Sequence, residues 1–382
     1  MSTLNPRRFA SVATLKKVHQ DRLLSLLVPH EVYLSGRAVD FDNGGVDFAG
    51  LVAVLLKPDE KFPVELADAL HHINELATED GMDDLIQAAE AKGLDLRLGA
   101  DPSPADVALS AWLVDQDLVE QILAEQFLTR PRSFEYAVGS GEPPVLVTAP
   151  DADVLTEMEK SLDEYFDKKK RGRHSKVFVF PKDDGIWFLI RHGEPMDRRG
   201  VIKDGESEAV FFRPEKYDVV VYDQALDELR VNARNKSEKE LYREQIGKHL
   251  FDNEDYFTDA ARYTLAPLLA DGVESLVCSD VPGLEYVLLK EVHYYRGGAH
   301  NEIEIRKAKD LFAAYAEKSR PLPRGRMMKA SFEVRFDDSK ASRTLTVRLP
   351  RTAQYTRDDD SACLDTWLIR RGFVNGHDDS ED

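Results

Sequence analysis

Two cysteines in 382 residues, Cys278 and Cys363, are too few for a disulfide framework, and neither has a neighbouring cysteine at metal-ligand spacing. Both read as small buried hydrophobes in a reducing, cytoplasmic setting. Long apolar runs are missing too. The longest, Leu51–Leu56, is six residues, against the roughly 20 that a membrane span needs. Arg7 and Arg8 are followed by no apolar stretch of the kind a secretory leader carries. No membrane partner is expected. Gly297-Gly298 lacks the further glycines and the lysine of a nucleotide cradle, and no serine-nucleophile elbow is present. No zinc-finger or RNP-type aromatic motif stands in the chain. No cofactor is expected.

The net charge is −19, divided as −12 over residues 1–150 and −7 over residues 151–382. A chain this acidic has no global attraction to nucleic acid or anionic lipid, so any contact with a phosphate backbone must come from local basic islands. A hydrophobic content of 42% supports real cores, and the length exceeds what one core usually holds, so two domains are expected.

The first 135 residues carry helical spacing. Leu15, Val18, Leu23, Leu26 and Leu27 form a segment closed by Pro29, and Val46–Leu56 stops at Pro58. Leu66, Leu70, Ile73 and Ala77 form a stripe, and Met82–Lys92 precedes a capping Gly93. Ser103-Pro104-Ala105-Asp106 is a start signal: serine caps, proline takes the first helical position, and aspartate meets the positive helix end. Val107–Val114 and Leu118–Leu128 supply apolar faces, with Trp112 as anchor and Pro131 as terminator. Residues 137–151 read as a linker containing a short strand at Val145–Thr148, and Asp151–Lys170 as an amphipathic helix.

After Lys176 the period falls from about 3.6 to about 2. Val177–Phe180 and Ile186–Ile190, joined by Lys182-Asp183-Asp184-Gly185, predict a hairpin. Further strands are expected at Ala209–Phe212, Val219–Tyr222, Leu229–Ala233, Tyr263–Leu268, Ser275–Cys278 and Tyr286–Tyr295. Ala330–Phe336 and Thr344–Leu349 form a second hairpin around Asp337–Ser342. Helices interrupt them: one opened by a capping box at Ser237 and Glu240, one over Ile303–Lys318, and a final Ser361–Arg371 capped by Asp360. The fold class is α+β: a helical acidic domain (1–135), a linker with amphipathic helix and basic segment (136–175), a mainly antiparallel strand-rich domain (176–375), and an acidic tail (376–382) too poor in apolar residues to fold.

Ile190-Arg191-His192-Gly193-Glu194, following an apolar strand, resembles the opening motif of the histidine phosphatases. The resemblance covers about eight residues and implies that His192 accepts a phosphoryl group while Arg191 holds the phosphate. The family's second histidine, between serine and glycine, has no counterpart here. The other reading of the motif is a hairpin strand leaving its sheet through a polar turn. His249, Asp252, Glu254 and Asp255, with His293, His300 and Glu302, form an acidic, histidine-bearing set; His249, Asp252 and Asp255 are the candidate metal ligands, although their spacing matches no ligand signature. Glu302, Glu304 and Lys307 come nearest to a nuclease set, but their spacing suits the start of a helix.

Basic islands stand out against this background. Lys168, Lys169, Lys170, Arg171, Arg173 and Lys176 are clustered, and Arg320, Arg324, Arg326 and Lys329, with Arg343, Arg348, Arg351 and Arg357, make a second set. They suit either an acidic protein partner or a phosphate backbone, and the plainer alternative is a solvated connector. The expectation is a non-catalytic interaction or accessory protein, a subunit of a larger assembly of the kind found in bacterial defence or nucleic-acid handling. The alternative is a phosphoesterase or metal-dependent nuclease acting through His192 or a site at His249 and Asp252.

Overall fold

A computed structural model describes residues 6–41, 46–128, 133–140, 147–182, 184–203, 205–259, 261–355 and 361–375. The helices are α1 Val12–Leu15, α2 Gln20–Leu27, α3 Glu31–Gly36, α4 Phe48–Leu56, α5 Val64–Leu76, α6 Glu79–Ala91, α7 Pro104–Val114, α8 Gln116–Glu125, α9 Ala152–Lys168, α10 Lys236–Phe251, α11 Pro267–Ala270, α12 Leu311–Ala316 and α13 Ser361–Arg370. The strands are β1 Ser133–Gly139, β2 Lys176–Lys182, β3 Gly185–Gly193, β4 Asp197–Lys203, β5 Glu206–Phe212, β6 Glu215–Asp223, β7 Glu228–Asn232, β8 Phe257–Asp259, β9 Leu284–Gly297, β10 Glu302–Lys307, β11 Arg326–Phe336, β12 Arg343–Arg348 and β13 Thr352–Gln354. The fold class is α+β, as the sequence predicts. Two compact units comprise residues 1–126 with 197–212, and residues 127–196 with 213–382.

In the first unit, leucines from α2, α4, α5 and α6 pack with α7, whose residues Ala105 through Trp112 are all buried. A run of small and branched side chains suits a helix surrounded on every side. Its start follows the predicted chemistry. The Ser103 hydroxyl accepts from the Asp106 amide at 3.3 Å, and Pro104 fills the first turn. Asp106 does more than meet the helix dipole. It is buried, accepts from the His19 amide at 2.8 Å, and pairs with Arg22, which also donates to the Arg97 carbonyl. The predicted segment from Leu15 to Leu27 is broken into α1 and α2. Pro29 sits in a 3-10 turn, Val28–His30, that leads straight into α3. β4 and β5 pair as a separate antiparallel hairpin.

The second unit is built on an eleven-stranded sheet in the order β10, β9, β11, β12, β13, β1, β7, β6, β3, β2, with β8 added beside β1. Its strand pairings are antiparallel, consistent with short connections. Directly paired residues share a face, so the register can be carried across the sheet. Lys329 pairs with Arg348, Arg348 with Thr352, Thr352 with Glu135, Glu135 with Val231, and Val231 with Val220. On that face, α9 and α10 cover the end containing Val220: Met158, Leu162 and Phe166 with Leu241, Tyr242 and Ile246 bury Phe188, Ile190 and Val231. At the other end α13 packs on the opposite face, where Trp367 and Phe373 lie against Phe332 with ring centroids 5.6 Å apart in each pair. One sheet thus supports two cores on opposite sides. Ile186, Phe188, Leu189 and Ile190 are all buried, which is why β3 reads as a continuous apolar run instead of an alternation.

Several expectations are corrected. The helical part does not run to residue 135, because Ser133–Gly139 is a strand inside the large sheet. Ala137, placed in the linker by its neighbours, is 2% exposed in the core. Gly139 is glycine for a packing reason: a Cβ there would collide with the Asp227 carboxylate. Tyr263–Leu268 is an isolated bridge from Tyr263 to Val374 followed by α11, with Pro267 in its first turn, and Ser275–Cys278 lies at the end of a 3-10 turn, Gly272–Leu276. The expected Ile303–Lys318 helix splits into β10, whose exposed Ile303 and Ile305 alternate with Glu304 and Arg306, and α12, capped by Asp310. The capping box of α10 belongs to Asn235 and Glu238, two residues before the expected pair. Pro131, Val145, Leu146, Asp183, Asp360 and residues 376–382 lie outside the described residues.

Breaking a buried ion pair strands a charge, which costs about 3–5 kcal/mol. Asp106→Ala is therefore expected to lower stability by about that much in urea denaturation, through loss of the Arg22 partner. A loss under about 1 kcal/mol contradicts the pairing.

Candidate functional site

β3 and β6 are adjacent antiparallel strands, with His192 opposite Lys216 and Ile190 opposite Asp218. His192, Lys216 and Asp218 therefore project from one face, the face covered by α9 and α10. The imidazole is 1% exposed and stacks on Phe166 with centroids 4.0 Å apart and planes 11° from parallel. Its Nδ1 donates to the Gly193 carbonyl at 3.0 Å, and Nε2 lies 3.0 Å from Asp218 Oδ2. An oxygen partner faces each of the two nitrogens, so both edges of the ring are engaged by the protein.

Around this pair the polar groups close into a network. Tyr242 donates its hydroxyl to Asp218 at 2.8 Å, and Lys216 Nζ lies 3.1 Å from Asp218 Oδ1 and 3.2 Å from Glu238 Oε2. Arg171 Nη1 donates to Glu238 Oε1 at 2.6 Å, and its guanidinium lies over the Phe166 ring. Asn235 donates to the same carboxylate from its side-chain amide at 2.8 Å and from its backbone at 3.1 Å. Glu238 and Tyr242, four residues apart on α10, point the same way. Arg171 comes from the turn that ends α9, where Lys170 takes a left-handed conformation with φ of 62°. Gly193 completes the arrangement, since a Cβ there would strike the Arg171 carbonyl.

The electrostatics follow from this geometry. Burial pushes the Glu238 carboxyl up, but bonds from Asn235, the Lys216 ammonium and Arg171 outweigh it and hold the group at about 2, below its ordinary 4.5. Burial, reinforced by the Asp218 charge, raises the Tyr242 hydroxyl well above its usual value. It stays a neutral donor. The cluster is therefore cations and carboxylates whose donors and acceptors meet one another, with His192 walled in by Phe166.

The residues of the phosphatase-like motif part company. Neighbours on a strand point to opposite faces, and Arg191 is on the side away from His192, near Glu215 and over the Phe178 ring at 5.8 Å. The two do not converge on one phosphate position. His249 and Asp252 both line an open cavity of about 530 Å³ together with Lys248, Phe251 and Tyr256, whereas Asp255 is not among its lining residues. Burial and the neighbouring Lys248 lower the His249 basicity. Among the described residues no three His, Cys, Asp or Glu side chains are grouped so as to hold a metal. Glu302, Glu304 and Lys307 lie on β10, where Glu304 pairs with Arg296 and Arg306, and Lys307 instead reaches Glu291 at 3.3 Å.

The basic islands are largely spent on internal partners. In the first, Arg171 turns inward to Glu238, Arg173 binds Asp167 at 2.9 Å, and Lys169 and Lys176 lie over Tyr165 and Phe178. Lys168, Lys169 and Lys170 are exposed. In the second, Lys329 shares Glu291 with His293 and Lys307, Arg351 serves Glu135 and Asp259, and Arg326 and Arg343 lie over Tyr295 and Phe336. Lys329, His293 and then Lys307 hold the Glu291 carboxyl at about 2, against the opposing effect of burial. Arg357 lies outside the described residues. Arg320 and Arg324, by contrast, have no carboxylate partner among the described residues and line an apolar cavity of about 730 Å³ beside α11 and α12.

Sequence reasoning singled out His192 but missed Lys216, Asp218, Glu238 and Tyr242. The available signal was two charges spaced by two at the start of the apolar run Val219–Tyr222, which marks charged side chains on a buried strand face. No protein-family model matches the chain, and no curated protein shows significant similarity to it.

Glu238 is depressed in the folded protein, so its contribution to stability is present above about 4.5 and is lost as pH falls toward about 2. Glu238→Gln is expected to cost about 2–4 kcal/mol near neutrality, by leaving Lys216 and Arg171 short of a partner. It should also flatten the fall in urea stability between pH 4.5 and 2. An unchanged acid profile in the variant rules out this role.

Proposed function

We propose that this protein is a non-catalytic interaction subunit of a larger assembly. The observation that supports the reading most is the state of His192. The side chain that a phosphoryl-transfer mechanism needs as nucleophile is sealed at 1% exposure, stacked on Phe166 and bonded through both nitrogens. A phosphoryl acceptor needs an open in-line approach to one ring nitrogen and a phosphate-holding group beside it. Here Arg191 lies across the sheet. The cluster around His192 fixes α9 and α10 to the sheet, which is a rigid-scaffold role.

An interaction role also has surfaces to draw on. β10 is an edge strand of the large sheet, with Ile303 51% and Ile305 56% exposed. Exposed aliphatic side chains beside an open backbone edge are features that partner strands and helices use. A phosphate-backbone contact has the narrower support of Lys168, Lys169 and Lys170, since Arg171 and Arg173 are already engaged by carboxylates.

The test is a screen of aryl phosphates, phosphodiesters and nucleic acids with and without Mg²⁺, Mn²⁺ or Zn²⁺, repeated on His192→Gln and Asp252→Ala. No turnover is expected under any condition, and purification from the native source should bring down a partner in fixed stoichiometry. Turnover that either substitution abolishes overturns the reading. Replacing Lys168, Lys169 and Lys170 together by Glu should leave nucleic-acid binding, read by its salt dependence, as weak as before; a fall of about three in the salt slope would instead assign the lysines to phosphate contact.

A further inference from the structure

The groove beside α11 and α12 combines three features and shares no residue with the cluster around His192. It is large, about 730 Å³, within the range of about 300–1,000 Å³ that small-ligand sites occupy. Its walls are mostly apolar: Leu269 and Val273 from the α11 side, and Phe312 and Tyr315 from α12. Leu269 is 42% and Val273 59% exposed, so part of this lining faces solvent without a covering side chain. Among the described residues the charged groups of the lining are Arg320 and Arg324, and no carboxylate lines the groove.

That charge pattern is unusual for this molecule. In a chain of net charge −19, the other arginines of the two basic islands are mostly taken up by acids and aromatic rings. Arg320 and Arg324 have no such partner among the described residues. The backbone fixes where they stand: the Arg320 amide donates to the Tyr315 carbonyl at 3.0 Å as α12 ends, and Arg296 donates to the Arg324 carbonyl at 3.0 Å. Two cations are therefore held at the margin of an apolar cleft. Such a cleft matches a molecule with an apolar body and an anionic end: burial of the body removes apolar area from water, and guanidinium–carboxylate bonds fix the head.

We propose that this groove binds a small amphiphilic carboxylate, an alkyl chain whose head group is held by Arg320 and Arg324. The site is independent of whether the protein is an accessory subunit, and a cation of the same chain length lacks the complementary head.

The experiment is calorimetric titration of the full chain with dodecanoate below its micelle concentration, with dodecyltrimethylammonium and acetate as comparison ligands. Saturable binding of one dodecanoate is expected, with no saturable binding of the cationic analogue or of acetate. Because both arginines and Leu269 are at the surface, Arg320→Glu/Arg324→Glu and Leu269→Gln are expected to keep the wild-type thermal midpoint. The double charge reversal should weaken dodecanoate at least about tenfold, the effect of losing charge-assisted hydrogen bonds, and Leu269→Gln several-fold. Absence of saturable dodecanoate binding, equal binding of the cationic analogue, or affinity unmoved by the double substitution each overturns the proposal. A variant that loses its thermal midpoint is replaced by Arg320→Gln/Arg324→Gln, read by the same titration.

Discussion

The second unit depends on keeping ionised groups buried without leaving any of them alone. Asp218 and Glu238 are withdrawn from water against a sheet and under two helices, where each uncompensated charge would cost several kcal/mol. The cost is offset only because every partner arrives in register. β3 supplies His192, β6 supplies Lys216 and Asp218, α10 supplies Glu238 and Tyr242, and the turn after α9 supplies Arg171. A one-residue slip of β3 or β6 would turn His192, or Lys216 and Asp218, to the opposite face of the sheet. The cluster therefore specifies how helix and strand dock more strongly than apolar contact alone, which tolerates sliding.

The same constraint accounts for what the motif around His192 is doing. Gly193 reads in isolation like the flexible residue of a phosphate site, yet its hydrogen is required by the approach of the Arg171 carbonyl. Arg191 and His192 look like a catalytic pair in one dimension and are divided by the sheet in three. The basic island has a similar history. Its density along the chain suggests a polyanion surface, but its arginines are used one at a time to neutralise Glu238 and Asp167.

Much of the fold was legible in the sequence. The Ser103-Pro104 start, the Gly93 stop and the two hairpins rest on local chemistry, and local chemistry decided them. What escaped was set by partners distant in sequence. β1 is a strand because β7 and β13 flank it, although its own end carries the glycine of a linker. β10 has an alternating pattern only five or six residues long, too short to outweigh the helical spacing that follows it. His192 was visible as a candidate residue, but its role depended on Asp218, 26 positions away, and on Phe166, which no spacing rule connects to it.

In the native protein His192 is sealed and bonded. Timed modification with diethyl pyrocarbonate, followed by mass mapping of each histidine, addresses this directly. His19, His174 and His300 are exposed and should be carbethoxylated early, while His192, at 1% exposure, should remain unmodified until the protein is unfolded. Modification of His192 at the rate of the exposed histidines, in protein that is still folded, contradicts the account.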